Sequence, residues 1–162
     1  MAEVFTEHVE TETDSEGNTH TTRTTIFHGL FAKVTSEKSI TSELKIVQDK
    51  VGRHDRNRLN MDSSEFEKYF DVFSDSRILV MQILTHDIME DMVQFYNNCG
   101  INFEIVIREN RIYIRYNIGD IFEGKVFKKS TNKEALWNCY NTLNFAINLT
   151  LKINKILEKK DV

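Results

Sequence analysis

Two runs of alternating apolar residues, joined by a short polar loop, constrain the fold of this chain more than any other feature. With Glu109-Asn110 as a two-residue loop, apolar side chains pair across two strands on one side of a sheet, because strand side chains alternate between faces. The predicted pairs are Phe103 with Tyr116, Ile105 with Ile114, and Ile107 with Ile112. Glu104 and Arg115 face each other on the opposite side as a charge pair. The pattern predicts an antiparallel hairpin with one apolar face.

A second hairpin is predicted at about residues 4–28. Its turn runs from Asp14 to Asn18, where Gly17 supplies the left-handed backbone that closes such turns. The tip is polar on both faces, so we expect it to project from the core with a weakly specified register. The register that follows from the turn pairs Thr11 with Thr21 and Phe5 with Phe27.

The chain continues as strand beyond this hairpin, and Gly29 is expected to mark a bend or bulge there. A further short strand is predicted at Leu44 to Val47. Asp62 or Ser63 is predicted to cap a short helix that runs through Phe70.

Two longer helices are predicted in the second half. Thr85 caps one that runs to Asn98 and is closed by Cys99-Gly100, since glycine commonly ends helices. The other spans about 132–159. Its apolar residues form a wide arc: Leu136, Tyr140, Leu143, Ile147 and Leu151 at three-to-four spacing, flanked by Phe145, Leu149, Ile153 and Ile156. We therefore expect this helix to be largely buried or to contact a partner as well.

Strands first and a long helix last is the order typical of α+β domains. The 162 residues are predicted to form one domain, with six or seven antiparallel strands, two or three helices, and the C-terminal helix packed on the sheet. The net charge of −4 argues against a nucleic-acid partner. No apolar run is long enough to span a membrane, and the N-terminus lacks a signal peptide, so we expect a cytoplasmic domain that meets membranes only through a segment absent from this chain.

The residues that carry chemistry form no recognisable motif. The acidic cluster is Asp62, Glu65, Glu67, Asp71 and Asp75. Glu65 and Glu67 would point roughly opposite ways on a helix, so helix capping explains the cluster better than a metal site. The histidines are scattered and no serine lies in a nucleophile elbow. We expect no enzymatic activity, no metal and no cofactor.

One basic stretch remains, formed by Arg53, His54, Arg56 and Arg58. It is a candidate site for an anion such as a phospholipid headgroup or a phosphate-bearing ligand. Asp49 and Asp55 interrupt the positive charge, so a solvated surface loop is the alternative.

Three motifs in order resemble a bacterial family known as domain of unknown function 3137. They are the aromatic-x-Gly-Leu-Phe stretch Phe27–Phe31, the acidic block Asp62–Val72 followed by Leu84-Thr85, and the strand pair Phe103–Tyr116. The likeness covers roughly Thr11 to Ile156. The family often has proline after the Leu-Thr pair, where this chain has His86. The resemblance implies no catalytic residues.

These observations favour a non-enzymatic interaction module, the cytosolic domain of a bacterial membrane-associated or oligomeric protein, that binds a protein partner or itself. An anion or lipid-headgroup sensor that uses the basic stretch is the first alternative. A hydrolase in which His54 or His86 meets carboxylates in a deep pocket is the second.

Overall fold

Seven antiparallel strands form one sheet, and three helices cover one of its faces, so the fold is α+β. A computed structural model describes residues 1–49, 57–118 and 133–159. In chain order the elements are β1 (Ala2–Thr13), β2 (Thr19–Thr35), β3 (Leu44–Gln48), β4 (Arg58–Leu59), a 3₁₀ turn (Phe66–Lys68), β5 (Phe70–Ser74), α1 (Arg77–Ile83), α2 (His86–Cys99), β6 (Asn102–Arg108), β7 (Arg111–Asn117) and α3 (Lys133–Lys159). The strand order across the sheet is β1-β2-β7-β6-β3-β5-β4.

The hairpin of β6 and β7 has the predicted register throughout. All three apolar pairs face the helices and are buried, while Glu104 and Arg115 form an ion pair of 2.6 Å on the outer face. Glu109 adopts a left-handed φ of 55°, which is uncommon for a residue with a side chain. The segment after β2 donates two hydrogen bonds to the loop, from Ser36 N to Asn110 O (2.7 Å) and from Ile40 N to Glu109 O (2.8 Å). These bonds hold a loop whose own sequence is a poor turn former.

The core lies between the inner face of the sheet and the helices. Its centre is aromatic: Phe95 of α2 stacks on Phe145 of α3 with ring centroids 4.3 Å apart, and both rings contact Phe103 of β6. The Tyr116 hydroxyl donates a hydrogen bond of 3.2 Å to the Thr142 carbonyl of α3. Burial raises the pKa of Tyr116, so the hydroxyl remains a donor across the physiological range. The C-terminal helix therefore packs on the sheet as predicted.

The hairpin of β1 and β2 is longer than predicted, and its register is correct only at the tip. Thr11 pairs with Thr21, as expected from the turn. The predicted pair of Phe5 with Phe27 is wrong, because a bulge at Ile26 shifts the register and Phe5 pairs with His28. The extra residue, Ile26, is 63% exposed, so the bulge takes up the slip at a solvent-facing side chain while Phe27 next to it remains buried.

Gly29 is required by a close contact, and the bulge lies three residues before it. A Cβ atom at this position would fall 1.9 Å from the carbonyl oxygen of Tyr116 in the neighbouring strand β7. The next residue, Leu30, is fully buried and pairs with Tyr116. Gly29 therefore allows the long hairpin to join the rest of the sheet.

Two local predictions are wrong around the acidic block. The helix expected to run through Phe70 is only a 3₁₀ turn, in which Ser63 Oγ accepts a hydrogen bond of 3.3 Å from Phe66 N. Phe70 instead begins β5, where Phe70 and Val72 alternate with Asp71 and fill the inner face. The helix α1 was not predicted. Thr85 does precede α2, but its side chain makes no capping hydrogen bond.

Replacing Gly29 with alanine should destabilise the fold by about 2 kcal/mol or more, because the added methyl group collides with backbone rather than with a mobile side chain. Urea unfolding followed by circular dichroism measures this change. Gly17→Ala is the matched control: φ there is 87° but nothing lies within 4 Å of the added atom, so we expect only the strain of a left-handed backbone, about 1–2 kcal/mol and less than the loss at Gly29. Equal effects of the two substitutions would contradict the role given to Gly29.

The turn of the first hairpin should open in acid. Backbone and side-chain hydrogen bonds from Asn18, with a further one from Glu16 N, lower the pKa of Asp14. A depressed folded-state pKa means that these bonds stabilise the turn above the ordinary aspartate value of about 3.9 and are lost as the pH falls through the folded-state value. The amide NMR shifts of Glu16 and Asn18 should titrate with a midpoint below the ordinary value. Asp14→Asn should abolish that titration; a midpoint at or above the ordinary value would contradict the prediction.

Candidate functional site

The helix α3 presents three different faces along its length. Residues three and four apart lie on one face of a helix, so the residues of each face recur at that spacing in the sequence. The buried face is Thr142, Phe145, Ala146, Leu149, Thr150, Ile153 and Leu157. The exposed apolar stripe is Leu136, Tyr140, Leu143, Ile147 and Leu151. A third face, turned toward α2, carries the amide row Asn141, Asn144 and Asn148.

The two threonines on the buried face have partners within the helix. Thr142 Oγ1 donates to the Asn138 carbonyl at 2.8 Å, and Thr150 Oγ1 donates to the Ala146 carbonyl at 2.7 Å. Buried hydroxyls that bond back to the preceding turn need no partner from the sheet. They therefore let a partly polar face pack against an apolar one.

A groove of about 760 Å³ runs between α2 and α3. The stacked rings of Phe95 and Phe145 lie in its lining, below the polar side chains of the two helices. An ion pair between Asp91 and Lys152 joins the helices at one end. At the other end Asn141 contacts Cys99, so the two helices run antiparallel.

Carboxamides line both walls of this groove. Gln94 and Asn98 lie on α2, opposite the amide row of α3. Gln94 donates a hydrogen bond of 3.2 Å to Glu90 on its own helix. Within the described part of the chain, Asn98, Asn144 and Asn148 have no side-chain hydrogen bond. These three amides are therefore available to a ligand, and each offers two donors and an acceptor.

The ends of the groove differ in character. Trp137, the single tryptophan of the chain, lines one end and stacks on Tyr140 with ring centroids 5.9 Å apart. Lys152 and Lys155 line the other, and Lys152 is engaged by Asp91.

Burial raises the pKa of the Cys99 thiol, and the hydrogen bond with Asn141 offsets part of that rise. The thiol is therefore protonated at neutral pH and is a poor nucleophile.

The predicted anion site is only partly described. Arg53, His54 and Arg56 lie outside the described residues. Arg58 is in β4, where its Nε atom lies 2.6 Å from Oδ1 of Asp71 on the neighbouring strand. Asp71 is 1% exposed, so Arg58 compensates a carboxylate that burial would otherwise destabilise. Arg58 thus has a structural partner within the chain, and its role in anion binding stays a prediction.

The other candidates for chemistry lie apart from one another. Glu67 accepts a hydrogen bond of 2.6 Å from Met61 N, and Asp75 accepts one of 2.7 Å from the Asn57 side chain. Across residues 1–49, 57–118 and 133–159 there is no cluster of three metal-ligating side chains. His86, the histidine proposed for a hydrolase, is exposed at the start of α2 and lines neither the groove nor a smaller cavity of about 190 Å³ on the outer face of the sheet.

The amide row was not predicted from the sequence motifs. Asparagines at positions i, i+3 and i+7 are a visible signal for one face of a helix. The signal is weak by itself, because asparagine is common on solvated surfaces. It becomes informative only when α2 places a second set of carboxamides opposite.

Removing the Arg58 side chain should lower stability even when no ligand is present. Arg58→Ala leaves the buried Asp71 carboxylate with less compensation, and we expect a loss of about 2 kcal/mol in the free energy of unfolding. Arg108→Ala, at the exposed end of β6, is the control and should change stability by less than about 0.5 kcal/mol. Urea unfolding measures both; equal stability of Arg58→Ala and the parent protein would show that Arg58 is free for another role.

Comparison with known proteins places the chain in a family. In the described residues, no helix is both long and apolar enough to cross a membrane. No curated protein and no solved structure matches the chain. A family described as a protein of unknown function (DUF3137) matches residues 25–155, which include both walls of the groove and exclude most of the projecting hairpin. The chain therefore belongs to the DUF3137 family.

Proposed function

We propose that this domain is a non-enzymatic interaction module of the cytoplasm, and that it associates with a second copy through the apolar stripe of α3. The observation that carries the proposal is the exposure of the stripe. Its five side chains, from Leu136 to Leu151, are 44–61% exposed. Large contiguous apolar patches are rare on monomeric soluble proteins and commonly mark interfaces.

The spacing of the stripe is self-complementary. When α3 pairs antiparallel with its own copy about a centre next to Leu143, Leu136 comes opposite Leu151 and Tyr140 comes opposite Ile147. Leu143 then faces Leu143 of the second copy. A two-fold dimer requires a surface that matches itself in this way.

The absence of charged residues around the stripe favours a second copy of the chain over other binding partners. Residues 135–151 include no Asp, Glu, Lys or Arg, so two copies meet without repulsion between like charges. A helix that lies on a membrane surface usually carries Lys or Arg on its polar face, and this stretch has none. A strongly charged protein partner would likewise find no complementary group on the stripe.

The size of the stripe predicts a weak dimer. The stripe from Leu136 to Leu151 extends about 22 Å along the helix, so a single helix pair falls at the low end of specific interfaces. We therefore expect association in the micromolar range, in which concentration decides how much dimer forms.

Leu143→Glu should abolish self-association, because it places two buried carboxylates against each other at the centre of the dimer. Sedimentation velocity over a concentration series measures the dimer fraction. Ile78→Glu is the control: Ile78 is 74% exposed on α1, outside the stripe, and its replacement should leave association unchanged. A parent protein that stays monomeric at every concentration would contradict the proposal. So would unfolding of Leu143→Glu, which would show that the chain itself covers the stripe.

A cysteine scan tests the antiparallel register directly. In a background of Cys99→Ser and Cys139→Ser, Leu143→Cys should form a disulfide-linked dimer under mild oxidation, because position 143 faces its own copy. Leu136→Cys should not, because it faces Leu151. Efficient cross-linking at both positions would indicate a parallel pairing, and cross-linking at 136 alone would indicate a different antiparallel register.

The projecting hairpin is a second candidate contact surface. β1 is an edge strand, and Phe5, Val9 and Ile26 expose apolar surface on the hairpin. An exposed edge can accept a strand from another chain. Trimming residues 6–24 separates the two candidates: association that survives the deletion points to the stripe, and association that is lost points to the hairpin.

The anion sensor remains the alternative function from a different class. Arg58 belongs both to this candidate site and to the ion pair with Asp71. Replacing Arg53, Arg56 and Arg58 with alanine should abolish any thermal stabilisation by phosphate or anionic lipid headgroups. An unchanged thermal shift would reject the alternative.

A further inference from the structure

We propose that the groove between α2 and α3 binds an extended peptide segment through its main chain. This surface adjoins the apolar stripe and shares Leu151 with it, but the proposal does not depend on self-association. A volume of about 760 Å³ is within the range of ligand sites. The walls are carboxamides rather than charged groups, and this chemistry identifies the class of ligand.

A carboxamide carries the same groups as a peptide unit, an N–H donor and a C=O acceptor. A side chain of this type pairs with a main-chain amide as a neighbouring strand would. Asn144 and Asn148 on one wall and Asn98 on the other have no side-chain hydrogen bond within residues 1–49, 57–118 and 133–159. The groove therefore offers solvent-exposed donors and acceptors from both sides.

The spacing of Asn144 and Asn148 fits an extended chain. These two residues are four apart, which is about 6.0 Å along the helix axis. An extended peptide presents the same edge of its backbone every second residue, at about 6.4–6.8 Å. An extended segment that lies along the groove can thus meet Asn144 and Asn148 with the same edge of its backbone.

The residues at the two ends of the groove indicate which side chains the peptide should carry. Trp137 offers an aromatic surface at one end, and Lys155 offers a cation at the other. The distance between them along α3 is about 27 Å, or roughly eight extended residues. We infer a segment of about that length with an apolar side chain near Trp137 and a carboxylate near Lys155.

Other ligand classes fit less well. A phosphate-rich ligand needs several convergent cations, and Lys152 is already paired with Asp91. Nucleic acid is disfavoured by the net charge of −4. An apolar small molecule would displace water from the carboxamides of both walls without replacing its hydrogen bonds, which costs free energy.

Random octapeptides displayed on phage are a suitable probe, because they sample every side chain at every position of the segment. We expect the domain to enrich peptides with an acidic end and an apolar end. Synthetic peptides from that selection should change the fluorescence of Trp137 on binding, since it is the single tryptophan in the chain and lies in the groove. The titration should be run at protein concentrations where the domain is monomeric.

The double substitution Asn144→Ala with Asn148→Ala should weaken binding by about tenfold or more, because two pairs of hydrogen bonds are lost. Both positions are exposed, so the variant should fold and self-associate as the parent does. Asn97→Ala is the control: Asn97 is exposed on α2 outside the groove lining and its removal should leave affinity unchanged.

Methylation of alternate main-chain nitrogens in the peptide distinguishes main-chain recognition from side-chain recognition. It removes donors without altering side chains, so we expect binding to be lost. Selection that yields no enriched peptide would overturn the proposal. So would a peptide that tolerates methylation at every position, or one whose affinity is the same for the double variant and the parent.

Discussion

The packing of Phe145 on Phe95 and Phe103 is the interaction on which the arrangement of α3 depends. The inner face of β6 and β7 is apolar from Phe103 to Tyr116 and must be covered, because no solvent-facing structure tolerates so large an apolar sheet surface. Phe145 stacks on Phe95 at 4.3 Å and meets Phe103 edge-on at 5.1 Å. Aromatic pairs of this kind bury apolar surface and also constrain the orientation of the packed elements, because stacked and edge-on geometries are favoured over others.

The hydrogen bond from Tyr116 to the Thr142 carbonyl adds a second point of attachment one turn away. Two attachments on one face determine how a helix is rotated about its axis. Every other residue of α3 then has a determined environment, because side chains are spaced by about 100° around a helix. The apolar stripe and the amide row are both consequences of this rotation. The amide row lies between the stripe and α2, and it faces the antiparallel wall that Asp91 and Lys152 hold in place.

Local sequence patterns predicted the parts of the fold that depend on few distant contacts. The alternation in β6 and β7 determined their register, and the cap and the closing glycine of α2 marked its ends to within one residue. The predictions failed where a distant contact decided the structure. Phe70–Ser74 is a strand because β3 and β4 pair with it, although the preceding block has the composition of a capped helix. The sequence around Ile26 did not predict the bulge there, which leaves Ile26 exposed and Phe27 buried.

For the candidate surfaces on α3, too, the sequence determined some features and the tertiary structure decided the others. The sequence determined that α3 is a helix of about 27 residues with more apolar positions than one packing face requires. It could not determine which of two apolar sets is buried, since both the set at Leu136 and the set at Phe145 have helical spacing. Only the tertiary structure decided between them: the flanking set that contains Phe145 packs on the sheet, and the more regular stripe lies outside. The physical reason is that periodicity identifies the faces of a helix, whereas the shape and aromatic composition of the opposing surface select which face is buried.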